Sequence, residues 1–128
     1  MSYYFSKITS LSFDEAIERV TILLKEQGFG IITQIDVTDT FKKKLDVDFR
    51  NYRILGACNP TFAHEVLVKD PQIGLLLPCN VVVQELENGK VNVSAINAKV
   101  NMEITHSKGV EEVACKVTEI LEKVIQQL

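Results

Sequence analysis

Hydrophobic and polar positions change period several times along this chain, and each change marks an element. Phe13, Ala16, Ile17, Val20, Leu23 and Leu24 recur at the spacing of one helical face. Ser12-Phe13-Asp14-Glu15 ahead of them reads as a capping box, and Gly28 behind them as a stop. Ile31, Thr33, Ile35 and Val37 then alternate with Ile32, Gln34 and Asp36, the period of two that predicts a strand. A short β-prone stretch at residues 3–8 precedes the helix as a first strand. Thr38 or Asp39 can cap a short helix to Lys44, followed by a loop through Leu45, Val47 and Phe49.

The middle of the chain organises the rest. Residues 52–57 predict a third strand, ended by Gly56, Asn59 and Pro60. Asn59 at the cap with Pro60 at the first helical position starts a helix that Pro71 stops. The apolar runs at 73–77 and at Val81-Val82-Val83 predict two strands, or one strand broken at Pro78, because proline cannot donate to a sheet ladder. Glu87-Asn88-Gly89-Lys90 predicts a type I′ hairpin turn, with Val91, Val93 and Ala95 on the return strand. Residues 97–105 fit one or two helical turns.

A long helix closes the chain. Its stripe is Val110, Val113, Ala114, Val117, Ile120, Leu121, Val124 and Leu128, backed by Glu112 with Lys116 and Glu119 with Lys123. The 14 residues 59–72 suit a helical crossover better than a hairpin, so the strands on either side are expected to run parallel.

Composition narrows the class. The 128 residues fit one α+β domain, 1–128, able to bury a core without a metal or disulfide. At 46% hydrophobic and 24% charged, no segment is polar enough for disorder. A net charge of −3 gives no basic field for a polyphosphate, so nucleic acid is not an expected partner, and Lys42-Lys43-Lys44 reads as a solvated helix face. No apolar stretch reaches the roughly 18 residues of a membrane span and the first residues lack a signal peptide's pattern, so no membrane partner and a cytoplasmic location are expected. Three cysteines, an odd number without close pairing, fit reduced thiols.

Candidate chemistry gathers at two Cys-Asn pairs, Cys58-Asn59 and Cys79-Asn80. With parallel strands, both pairs lie at the sheet edge where open α/β sheets place ligands, with His64 one helical turn away. A thiol at a helix start can be acidified, which makes Cys58 the catalytic candidate, though a weak one. A plainer reading stands beside this: buried cysteines are commonly inert, capping explains Asn59, and turn chemistry explains Asn80. Cys58, His64 and Cys79 would make a three-ligand metal site with one open position, but their spacing matches no zinc pattern. Cys115, His106 and Met102 read as structural. No phosphate loop, nucleophile elbow or His-Glu-x-x-His pair is present, and Asp46 and Asp48 face solvent.

The run from Tyr52 through Gly56-Ala57-Cys58-Asn59-Pro60, with Ala63-His64, Asp70-Pro71 and Leu75-Leu76-Leu77-Pro78-Cys79-Asn80-Val81, resembles the signature of the family called domain of unknown function 302. The resemblance covers nearly the whole chain. It implies a two-layer α/β sandwich, with a mixed or mostly antiparallel sheet, helices on one face and the long C-terminal helix, commonly as a homodimer. This chain departs from the family pattern at Asn97, Ala98 and Asn101, where the family usually carries Asp, Pro and Met.

Three functions follow from these residues. The first is a homodimer that binds a small molecule or anion near Cys58, Asn59, His64, Cys79 and Asn80. The second is a thiol- or metal-dependent enzyme using Cys58, Cys79 and His64. The third is a dimerisation or protein-interaction module without a ligand. No cofactor is assigned by any of the three.

Overall fold

Every pairing in the sheet is antiparallel, and its order follows from where each connection returns the chain. The structure, a computed structural model, describes residues 2–128. In chain order the elements are β1 (Tyr4–Thr9), α1 (Phe13–Glu26), β2 (Gly30–Asp36), α2 (Val37–Leu45), β3 (Tyr52–Cys58), α3 (Pro60–Lys69), β4 (Cys79–Glu85), β5 (Val91–Ile96), α4 (Ala98–Met102) and α5 (Lys108–Gln126). Two short 3₁₀ helices, Pro71–Leu76 and Glu103–Thr105, complete them. The five strands lie in the order β1-β5-β4-β3-β2. Helices α1 and α5 pack on one face with α3 and α4, giving two layers. No helix of the described residues is long and apolar enough to cross a membrane.

Local chemistry sets the helix ends. Ser12 Oγ accepts from the Glu15 amide at 3.1 Å and Glu15 Oε1 accepts from the Ser12 amide at 3.1 Å, so two orphan donors are satisfied together. Those bonds hold the Glu15 carboxyl below its usual range. Asn59 caps α3, its Oδ1 accepting from the Phe62 amide at 3.2 Å, and Pro60 loses nothing at a position whose N–H has no helical partner. The cap of the short helix α2 lies two residues before Thr38. It is Asp36, which accepts from the Asp39 amide at 3.0 Å.

Strands β3 and β4 are antiparallel, with Ala57 opposite Cys79 and Leu55 opposite Val81, which corrects the expectation of a parallel crossover. The stretch 73–77 is not a strand. Asp70 caps the 3₁₀ helix Pro71–Leu76 through the Gln72 amide at 3.0 Å. The ten-residue α3 leaves the sheet edge by about 15 Å and this second helix comes back by about 12 Å, so β4 begins where β3 ended.

The hairpin between β4 and β5 also differs from its expected type. Gly89 has φ +81°, but Asn88 does not share the positive φ that a type I′ turn requires. The Gly89 amide donates to Leu86 O and the Leu86 amide to Lys90 O, a type I turn followed by a left-handed glycine.

The core lies between the sheet and the helices. Leu55, Ala57, Cys79, Val81, Val83, Val91, Val93 and Ala95 point from the strands into Val20, Leu24, Val110, Ala114, Val117 and Leu121. Charged strand residues lie on this same side. Lys7 reaches the C-terminal end of α5, donating to Gln126 O at 2.9 Å, and the Arg53 guanidinium sits 5.7 Å from the centre of the Phe13 ring.

Candidate functional site

Antiparallel pairing brings the two cysteines to one rim by a different route from the one expected. Cys58 ends β3 and Cys79 begins β4, so both lie at the same end of the sheet. Cys58, Asn59 and Cys79 line a cavity of about 30 Å³ under this rim, closed by Phe29, Phe62, Val66, Met102 and Val113. The space suits one or two waters or a methyl group, and the walls offer no charged side chain. Burial, and then the neighbouring Cys58, push the Cys79 thiol up to about 11. Cys79 is therefore a neutral thiol at physiological pH.

The other candidates lie elsewhere. His64 is on the exposed side of α3 and does not line the cavity. Among the described residues, no three His, Cys, Asp or Glu side chains gather closely enough to hold a metal ion. Asn80 alternates with Cys79 and so projects from the opposite face of the sheet. The sheet thus separates the members of the second Cys-Asn pair.

Asn80 stands in a shallow trough of about 350 Å³ on that opposite face. Tyr3, Tyr4 and Tyr52 supply aromatic rings, and Gln84, Asn92 and Ser94 supply amides and a hydroxyl. One end is shouldered by the stack Phe41–Phe49–Tyr52, with ring centres 5.2 and 6.0 Å apart, which ties α2 and the following loop to β3. The Arg50 guanidinium lies over Phe49, 4.4 Å from the ring centre, and its Nε donates to Gln84 Oε1 at 3.0 Å. Across the trough, Ser6 Oγ donates to Asn92 Oδ1 at 2.7 Å.

Sequence reasoning singled out Asn80 here and missed the rest. A signal was available: Asn80, Val82 and Gln84 on β4, and Asn92, Ser94 and Ile96 on β5, alternate with buried valines and alanine without one charge among them. An antiparallel sheet facing water ordinarily uses charged residues at many such positions.

The fold and this uncharged face define a two-layer α/β sandwich whose one sheet surface is left open by the helices. The family described as "Domain of unknown function DUF302" matches residues 5–128, and the chain belongs to it. A solved structure similar to it is that of the "uncharacterized conserved protein DUF302 from Bacillus stearothermophilus", with a TM-score of 0.91 and 28% identity. That likeness covers 99% of this chain and 98% of the other. No curated protein matches the chain.

Proposed function

We propose that this protein is a small-molecule-binding homodimer whose ligand is a neutral, flat, polar compound received in the trough beside Asn80. The reading rests on the composition of that trough. Tyrosine rings offer stacking surfaces, and side-chain amides offer a donor and an acceptor side by side, the pair that matches the edge of a heterocycle. None of the side chains lining the trough is charged, and the Arg50 guanidinium at its end is taken up by Gln84 and the Phe49 ring, so the trough favours a neutral ligand over an anion, and the rim cavity is both too small and too apolar for either.

The Cys-Asn rim has a supporting part in this reading. Cys58, Asn59 and Cys79 fix where β3 ends and β4 begins, and so set the position of Asn80. Cys79 is held neutral by its burial and His64 stands away from the cavity, so the set Cys58, Cys79 and His64 is not assembled at one place, which ranks the enzyme reading below binding.

Thermal-shift titration with adenosine, uridine and glucose against phosphate and acetate tests the proposal. At least one neutral compound should raise the melting temperature of the wild type, and Tyr52→Ala with Asn80→Ala should abolish that rise. Stabilisation by the anions alone, or a rise unchanged in the variant, would overturn it.

A further inference from the structure

Strand register sets three residues of the trough in one row: Tyr52 on β3 lies opposite Gln84 on β4, and Gln84 lies opposite Asn92 on β5. A ring and two side-chain amides thus stand side by side, with the amide side chains about 5 Å apart across the strands. Both amides are engaged at the same end. Arg50 Nε donates to Gln84 Oε1 at 3.0 Å, and Ser6 Oγ donates to Asn92 Oδ1 at 2.7 Å. Among the described residues, Gln84 Nε2 and Asn92 Nδ2 have no acceptor, so the NH₂ ends are what this part of the trough offers.

The Arg50 bond fixes an orientation. A guanidinium carries only donors and keeps its proton at physiological pH, so the end of the Gln84 amide that meets it has to be the carbonyl. Arg50 is itself held, its guanidinium 4.4 Å from the centre of the Phe49 ring and 5.9 Å from that of Tyr52. Asn80, further along β4, makes no side-chain hydrogen bond among the described residues and keeps both a donor and an acceptor open.

We infer that the Gln84 end of the trough is a donor edge set by Arg50, and that it selects flat heterocycles presenting ring carbonyls there over those presenting amino groups. The inference rests on the binding reading above and narrows its ligand class. A diketo ring of the uracil or xanthine type gives the two NH₂ groups acceptors while Tyr52, next in the row, supplies a stacking face. The amino groups of cytosine and adenine set donor against donor, leaving both unpaired as they lose water. Arg50 is a positioning residue here, acting through Gln84.

Isothermal titration with uridine and cytidine, which carry a carbonyl and an amino group at the same ring carbon, tests the edge. The wild type should bind uridine at least about ten-fold more tightly than cytidine. Gln84→Glu puts an acceptor where the donor was and keeps a partner for Arg50, so it should reverse the order. Arg50→Met leaves an apolar side chain on Phe49 and frees the Gln84 amide to turn, so the preference should shrink; it repeats the test should Gln84→Glu fold poorly by circular dichroism. In the protein without any compound, the Arg50 Nε–H should exchange with water more slowly in the wild type than in Gln84→Ala, read by NMR. A wild type that prefers cytidine, adenosine or glucose to uridine, a preference unmoved by both variants, or equal exchange at Arg50 would overturn the inference and leave the trough a binding site. Failure of all four compounds to bind sinks the binding reading, and this inference with it.

Discussion

The Asn97 side-chain amide donates to the Ser2 carbonyl at 3.2 Å while its Oδ1 accepts from the Val100 amide at 3.3 Å, so one buried side chain fastens the start of the chain to the cap of α4. Thr118 Oγ1 adds a longer contact to the same Oδ1 at 3.4 Å, and the Asn97 amide N–H reaches Tyr3 O at 2.7 Å. At 3% exposure Asn97 has no water to fall back on.

Only an amide does both jobs. Asn97→Asp keeps the acceptor and loses the donor to Ser2, and Asn97→Ala loses both. Asn97→Ala should lower unfolding stability by about 2 kcal/mol, combining a lost cap with unsatisfied buried groups. Asn97→Asp should cost less near neutral pH and release residues 2–3 to faster amide exchange. Urea denaturation and hydrogen exchange measure the two effects, and equal stability of all three proteins would contradict this account.

Gly56 should not tolerate a side chain. A Cβ there would lie 2.7 Å from Pro78 Cγ and closer still to Thr33 Oγ1, on the open face of β3. Gly56→Ala is expected to cost about 1–3 kcal/mol by overpacking. Combining it with Thr33→Ala should recover part of that loss, because Pro78 remains. Full recovery in the double variant would show that Pro78 gives way.

The pair Asn59 and Asn80 should behave oppositely. Asn59→Ala removes the α3 cap and should cost about 1 kcal/mol. Asn80→Ala touches an exposed side chain and should change stability by no more than about 0.5 kcal/mol, while weakening any compound held in the trough. Urea midpoints for both variants, set beside thermal shifts with the neutral compounds, separate a structural asparagine from a binding one.

Alkaline pH should destabilise the fold through Cys79. Its folded value of about 11 lies above the ordinary 9.0, so between these values the unfolded chain has released a proton that the folded chain still holds. Stability is then whole below about pH 9 and falls as pH rises to about 11, by on the order of 2 to 3 kcal/mol. Cys79→Ala should flatten that decline over the same window. Iodoacetamide should modify Cys79 slowly at neutral pH in the folded protein; fast labelling there would refute its burial as the cause.

Much of this molecule is legible in its amino acids because the signals are local. The capping box at Ser12, the cap and proline at Asn59-Pro60, the stripe of α5 and the alternation at Val91, Val93 and Ala95 each depend on neighbours within a turn or a strand. The turn at Gly89 was found in place but not in type, since type depends on the φ of Asn88, which its identity leaves open.

The direction of β4 and the partition of the site required the tertiary structure. A run such as Ile73-Gly74-Leu75-Leu76-Leu77 has no period that separates a short strand from a 3₁₀ helix, and only its packing beneath α3 decides between them. That one choice reverses β4, since a returning segment brings the chain back to the end it left. It also fixes register, which buries Cys79 among the helices and turns Asn80 to the other face. The residues alone specified which side chains stand next to each other along the backbone; which face of the sheet each one occupies was settled by the long-range pairing of β3 with β4.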